Sequence, residues 1–398
     1  MATRAPAFAP GRFDRDSFLR DYWQQKPLLI RNPWQTWQNP LEPDELAGLA
    51  CEDDIESRIV FGAPYDAARH DARQWRLEHG PFPEERFSKL PTRDWTLLVQ
   101  AVDHYLLEVA ALIEPFRFIP SWRIDDVMVS YAVDGGSVGP HFDQYDVFLI
   151  QGLGQRRWQI GKYCDGTTAL LPHDDLRLLA DFEATDEWVL EPGDILYVPP
   201  GYAHNGVAVG DDCMTYSIGF RAPSRGELLG HWADHLIAHQ LGDDDRYRDA
   251  GRTAAANPGE IEAPALHELH AMVLEALQDS AAFEQWFGRF GTARKYPELD
   301  QQPDEQLSIP QFRQLLREAA PLRNPASRFA FIRSKNRALT LFVDGEGYPC
   351  DSALAPLAEQ LCASPSFEPD AATLQSDAAL TLLLALYHQG SLVFEDDA

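Results

Sequence analysis

Cysteine is sparse: Cys51, Cys164, Cys213, Cys350 and Cys362 are scattered through 398 residues, with no C-x-x-C pair and no zinc-like spacing. That pattern excludes a disulfide-stapled scaffold and a zinc ribbon, and it suits a reducing compartment. Long apolar runs are missing too. No stretch approaches the roughly 18 uncharged apolar residues a membrane span needs, and the N-terminal MATRAPAFAPGRFDRD lacks the apolar centre of a signal peptide. A cytoplasmic protein with no membrane partner is expected. Positive charge is short as well: 34 Lys and Arg face 62 Asp and Glu, for a formal net charge of -28. Such a field repels phosphate backbones and anionic lipid and attracts basic partners; the plain alternative is that acidity only serves solubility.

What is there is the profile of a globular protein. Hydrophobic residues make up 45% and charged residues 24%, over a length that suits two or three domains and can bury a sizeable core. Residues 15–23 (RDSFLRDYW) read as a short amphipathic helix, and PLLIRN as an entering strand. A polar, Pro- and Trp-rich stretch comes next. From Trp95 to Ile113 apolar residues recur at helical spacing with no interior Gly or Pro, which predicts a long helix. Between about 122 and 222 the pattern changes to short β-rich runs (DVMVSYAV, DQYDVFLIQ, RRWQIG, EWVLE, DILYVP, GVAV, MTYSIGFRA) separated by Gly, Pro and Asp turns, the signature of a β-sandwich or barrel. From Gly226 to Phe290 the sequence is helical again, split by a loop around 242–264. Beyond a polar linker at 297–310, a helix, two strands, further helices and a last strand (SLVFE) predict a winged-helix-like α+β module.

Two segments carry chemistry. In VGPHFDQYDVFLIQ, His141 and Asp143 lie two apart in a strand-like run, so both side chains emerge on one face, which Tyr145, Val147 and Leu149 continue. An imidazole and a carboxylate at the mouth of an apolar barrel need a partner that offsets their desolvation, and a divalent metal is the natural one. In LEPGDILYVPPGYAHNGVAV a buried-type strand ends in Pro199-Pro200-Gly201, and His204 returns three residues later. Two His and one Asp leave open coordination positions on a non-haem iron, which admits bidentate 2-oxoglutarate and dioxygen. The pattern H-x-D alone is weak. His173-Asp174-Asp175 also satisfies it, but it comes after a proline in a turn-like stretch and reads as surface.

Arg156 is the next informative residue. After Gly152-Leu153-Gly154, alternation puts Arg156, Trp158 and Ile160 on one face and Arg157 and Gln159 on the other. A guanidinium buried beside Trp and Ile requires an anion. That anion is either the distal carboxylate of 2-oxoglutarate, gripped by the guanidinium fork, or a structural carboxylate of the chain itself.

GPHFDQYDVFLIQGLGQRRWQIG, EPGDILYVPPGYAH and YSIGFRAP, with DYWQQKPLLIRN, HGPF and WTLLVQAV upstream, resemble the bacterial ribosomal oxygenases of the JmjC class, in particular the arginine hydroxylases of large-subunit ribosomal protein L-sixteen. The likeness covers about residues 15–290 and, more loosely, the C-terminal module. It implies a mainly β protein with α elements. Residues 1–225 would form a double-stranded β-helix (a JmjC/cupin-like barrel) with N-terminal helical elements, 226–296 a helical dimerisation domain and 297–398 a winged-helix-like domain. It further implies Fe(II) on His141, Asp143 and His204, 2-oxoglutarate on Arg156, O2 as co-reactant, a homodimer, and a basic ribosomal protein of the large subunit as partner. Asp134, Gln144 and Tyr145 are candidates for contacts with the substrate side chain. A histidyl hydroxylase of another ribosomal protein and a cupin-type metal barrel without redox activity remain open. Nucleic acid is not an expected partner: Arg313, Arg317, Arg323, Arg328, Arg333, Lys335 and Arg337 concentrate charge in the C-terminal module, but their spacing marks no single face.

Overall fold

The computed structural model describes residues 6–67, 71–303, 305–335 and 337–394. Its centre is a nine-stranded antiparallel sheet curled into a barrel, built from β1 (Leu28–Ile30), β2 (Ser57–Phe61), β3 (Arg76–His79), β4 (Trp95–Val99), β5 (Ile124–Ala132), β6 (Asp146–Tyr163), β7 (Ala184–Leu190), β8 (Ile195–Val198) and β9 (Tyr202–Phe220). The order is β1-β8-β6-β9-β5-β4-β2-β3, with β7 on the free flank of β6. The expected double-stranded β-helix is therefore present.

β6 and β9 are long because each runs through both layers of the barrel. Residues 146–150 of β6 pair with β8 and with the end of β9, whereas residues 156–160 pair with β7 and the start of β9. The corner is turned at two register shifts between Gln151 and Gln155. Gly154 sits there at φ +58°, and a Cβ on it would lie 2.7 Å from the Asp212 carbonyl oxygen, so only glycine fits. Strand alternation then sorts the side chains. Phe148, Ile150, Tyr197, Tyr216 and Ile218 join Phe18, Trp34 and Phe116 in the main core, while Val147, Leu149, Trp158, Ile160, Leu196 and Val198 form the second cluster, inside the barrel. Each large apolar side chain so enclosed contributes about 1.5–3 kcal/mol.

Two sequence expectations need correction. WTLLV is strand β4, buried at all five positions between β2 and β5, and not the start of a helix. A continuous apolar run fits a buried strand as well as a helix face. From Ala101, which stands at φ +51°, to Phe116 the chain makes only short turns of 3-10 and α-helix. The polar stretch upstream also hides two strands, β2 and β3, which extend the sheet beyond β4. The short helix Arg15–Asp21 and the entering strand β1 are where the sequence placed them.

Beyond the barrel lie the helices Arg225–His239, Ala263–Leu277 and Ser280–Thr292. The helix Ile309–Glu318 precedes β10 (Leu322–Arg323), the meander β11 (Phe329–Arg333), β12 (Leu339–Val343) and β13 (Glu346–Cys350), the helices Ala355–Ala363 and Asp377–His388, and β14 (Leu392–Val393), which pairs with β10. This is the winged-helix order, with a core of its own around Phe312, Leu341, Leu383 and Leu386. Ion pairs fasten this module and the segment before it to the barrel: Arg328 lies 2.7 Å from Asp125, and Lys295 Nζ, just after the helix Ser280–Thr292, lies 3.1 Å from Asp125 and 2.8 Å from Asp126. Three of the basic residues of this module are engaged locally. Arg313 pairs with Asp377, Arg333 with Glu359, and Arg323 donates to the carbonyls of Leu361 and Cys362.

Candidate metal centre and its cavity

His141 and His204 face each other across an isolated antiparallel bridge. Each backbone N–H donates to the other residue's carbonyl, at 3.0 and 2.8 Å. The two imidazoles consequently project to the same side, with ring centroids 4.3 Å apart. His204 belongs to β9, opposite Ile160 of β6. Asp143 precedes β6 in a loop, not in the strand expected from the alternation argument. That loop is held from both ends. Gly201 N–H donates to the Asp143 carbonyl at 2.7 Å. Three residues on, the buried carboxylate of Asp146 accepts from Tyr197 Oη at 2.6 Å, Gln24 Nε2 at 2.9 Å and Arg123 Nη2 at 3.1 Å.

The three side chains converge. His141 Nε2 lies 3.9 Å and His204 Nε2 3.6 Å from Asp143 Oδ2, and one ligand atom from each residue falls within 4.8 Å of the others. The Nδ1 atoms are engaged elsewhere, against the Gly139 carbonyl at 2.8 Å and the Tyr202 carbonyl at 3.0 Å. A backbone acceptor fixes the proton on Nδ1 and leaves Nε2 as a lone-pair donor. Burial, and then the neighbouring His141, push the His204 imidazole down to about 4, so it stays neutral at physiological pH, as a metal ligand must. Two neutral imidazoles and one carboxylate on one side of a point suit a divalent cation with open positions opposite.

The triad opens into a cavity of 750 Å³, which Arg156 and Trp158 also line. Arg156 is 3% exposed, yet its Nε and Nη2 have no hydrogen-bond partner, and the same is true of the Trp158 indole N–H. The alternative of a structural ion pair to a carboxylate of the chain is thus absent among the described residues. An unpaired buried guanidinium of this kind fits an anionic carboxylate ligand. The rest of the expected set divides. Gln144 and Tyr145 line the cavity, with Tyr145 45% exposed at its rim. Asp134 does not join them: it lines a separate hollow of 270 Å³, where it pairs with Arg93 at 2.9 Å and accepts from Gly210 N–H. In the decoy copy, His173 Nδ1 accepts from the N–H groups of Asp175 and Leu176, closing a turn, while Asp174 and Asp175 are exposed. Arg58 and Thr96 on β2 and β4 also line the cavity and were not singled out from the sequence. The signal that could have found Arg58 is the strand pattern SRIVF, hidden by the turn-rich composition around it.

Residues 111–228 match the JmjC domain family, and residues 275–393 match the ROXA-like winged helix. The chain is 42% identical over 294 residues to the ribosomal protein uL16 3-hydroxylase of Escherichia coli K12, covering 72% of this chain and 75% of that protein. The chain belongs to the JmjC-type ribosomal oxygenases. A probable ribosomal oxygenase of Haemophilus influenzae is 44% identical over 221 residues, 55% of this chain and 52% of its own. The E. coli ribosomal oxygenase YcfD in complex with cobalt and 2-oxoglutarate superposes with a TM-score of 0.83 at 35% identity, covering 98% of this chain and 99% of that one. The fold of this ribosomal oxygenase thus matches a relative whose structure holds cobalt and 2-oxoglutarate.

Proposed function

We propose that this chain is an Fe(II)- and 2-oxoglutarate-dependent oxygenase that hydroxylates the β-carbon of an arginine side chain in large-subunit ribosomal protein L-sixteen. The observation that carries the reading is Arg156: a buried guanidinium with two partnerless nitrogens, in the same cavity as an open His141–Asp143–His204 triad. The similarity to a uL16 3-hydroxylase supports the choice of substrate.

In this reading His141, Asp143 and His204 hold the iron, and Arg156 pairs with the distal carboxylate of 2-oxoglutarate. With dioxygen, that iron and cosubstrate supply an oxidant able to take hydrogen from an unactivated carbon, leaving succinate and carbon dioxide. The chain's own task is positioning. Backbone acceptors aim the two Nε2 atoms, the Asp146 network holds the Asp143 loop, and Val147, Leu149, Trp158 and Ile160 keep water from the inner end of the cavity. The net charge of -28 draws a basic ribosomal protein toward the enzyme.

The finer parts of the reading concern assembly and place. We take residues 1–225 as catalytic domain, 226–296 as dimerisation layer and 297–398 as winged-helix-like domain. Exposed Ile237, Leu266, Leu269 and Val273 on the helices Arg225–His239 and Ala263–Leu277 support a homodimer through that layer. Among the described residues no helix is long and apolar enough to cross a membrane, in keeping with a cytoplasmic setting.

Intact-mass measurement of the ribosomal proteins after incubation with enzyme, Fe(II), 2-oxoglutarate and air tests the function. A gain of about one oxygen atom on L-sixteen, dependent on 2-oxoglutarate, is expected. A gain on a different ribosomal protein, localised to histidine, would replace arginine by the histidyl reading. Absence of succinate with every ribosomal protein would leave the non-redox barrel.

A further inference from the structure

One wall of the cavity is a row of paired strand positions. Arg58 of β2 sits opposite Leu98 of β4, Leu98 opposite Ser130 of β5, and Ser130 opposite Thr215 of β9. All four line the cavity. Alternation along β2 explains the orientation: Ile59, 0% exposed, enters the main core, so its neighbours Arg58 and Val60 turn to the other face.

Arg58 has no ionic partner there. Among the described residues its guanidinium meets only the Met128 sulfur, at 3.9 Å, and a thioether is a weak acceptor. Of the other cations of this cavity, Lys295 and Arg221 are committed within the chain, and Arg156 is the one assigned to 2-oxoglutarate above. Lys295 is held by Asp125 and Asp126, and Arg221 donates to the carbonyls of Trp122 and Gly291. A half-buried guanidinium that no acceptor of the described residues engages is open to one that a ligand supplies. On the same wall the Thr96 hydroxyl, fully buried, also lacks a partner. In a chain with 62 acidic residues, an unpaired arginine turned into the cavity leaves a donor for something that arrives from outside.

We propose that Arg58 binds the substrate polypeptide, donating to main-chain carbonyl oxygens beside the residue presented to the triad. This rests on the hydroxylase reading above. Main-chain carbonyls are the acceptors that any extended segment offers at regular spacing, and the guanidinium, which only donates, suits them. Arg58 also repels a cationic substrate side chain from its own wall. The polypeptide is thereby held at its backbone on the β2 side, while its long side chain extends toward His141, Asp143 and His204. Arg58 thus sets which residue of an extended segment reaches the metal.

The test compares wild type, Arg58→Gln and Arg58→Lys with L-sixteen as substrate, reading kcat, KM for the protein, KM for 2-oxoglutarate, and Tm. Arg58→Gln is expected to raise the protein KM about tenfold or more, the loss of a charge-assisted hydrogen bond. Its kcat should stay within about threefold, its KM for 2-oxoglutarate unchanged, and its Tm little changed, because Arg58 holds no ion pair among the described residues. Arg58→Lys should recover part of the loss. An unchanged protein KM, or a fall in Tm with both KM values rising together, overturns the assignment. If wild type leaves L-sixteen unmodified, the hydroxylase reading and this inference fall together; if wild type is active and Arg58→Gln binds substrate equally well, only this inference falls.

Discussion

His141 and His204 exchange both backbone hydrogen bonds, so the register of a single bridge sets the spacing of two imidazoles that are 63 residues apart in the chain. Asp143 completes the set with its carboxylate 3.6 Å from His204 Nε2. Replacing Asp143 by Ala removes the anionic member of the triad. The variant should fold, bind Co(II) at least about 100-fold more weakly in a calorimetric titration, and release no succinate above background.

Gly201 joins the metal loop to the β8–β9 turn. It stands at φ +81°, and a Cβ there would come within 2.5 Å of the Tyr163 ring. Gly201→Ala is therefore expected to cost about 1–2 kcal/mol or more of stability and to loosen the hydrogen bond from Gly201 N–H to Asp143. Urea unfolding and the same Co(II) titration should move together.

Arg156→Met deletes a buried cation whose Nε and Nη2 have no hydrogen-bond partner among the described residues, while keeping much of its apolar stem. The metal-free protein should be no less stable than wild type by urea midpoint. KM for 2-oxoglutarate should rise by about 10- to 100-fold, since a charged hydrogen bond contributes about 1.5–3 kcal/mol. A destabilised fold with unchanged KM would make Arg156 a structural residue.

His104 ties stability to pH. Its side chain is 7% exposed, and burial, then Arg328 and Lys295, hold the imidazole down to about 4. The unfolded imidazole titrates near 6.5, so the unfolded chain takes the proton first. The contribution is complete above about pH 6.5 and is lost as pH falls toward 4. Asp103 works against it, because burial and then Asp126 raise its carboxyl well above the usual range, and its protonation favours the native state as pH falls. Between pH 7 and 5, wild type should lose about 2 kcal/mol more than His104→Gln in urea unfolding.

Assembly is tested on the helix Ala263–Leu277, where Leu266 and Val273 are 53% and 59% exposed. A Leu266→Glu, Val273→Glu double variant should run as a monomer by light scattering while wild type runs as a dimer. Its Tm should fall as well if the layer is stabilised by association.

The sequence carried much of this site because its chemistry is local. PHFD brings His141 and Asp143, and PPGYAH brings His204, to the candidate metal centre by turn and strand grammar within a few residues, and the alternation RRWQI was enough to turn Arg156 and Trp158 into the cavity together. The failures have a common cause. WTLLV reads as a helix face because every position is buried, and SRIVF and RLEH were obscured by turn-rich flanks. Asp134 shows the limit of proximity in sequence: it lies seven residues before His141, yet it faces a different hollow and an arginine of its own.

Composition and local pattern alone were enough for the scattered, unpaired cysteines, the β-rich run between residues 122 and 222, the three residues that converge at the candidate metal centre and the helical and winged-helix-like segments after it. Those features depend on spacing over two to twenty residues, which the chain states directly. Only the tertiary structure decided that Nε and Nη2 of Arg156 have no hydrogen-bond partner among the described residues, that Asp146 anchors the Asp143 loop, and that Arg58 shares a wall with Thr215. Burial and the lack of a partner are properties of three-dimensional surroundings. They arise when strands distant in sequence exclude water together, and no window along the chain contains them.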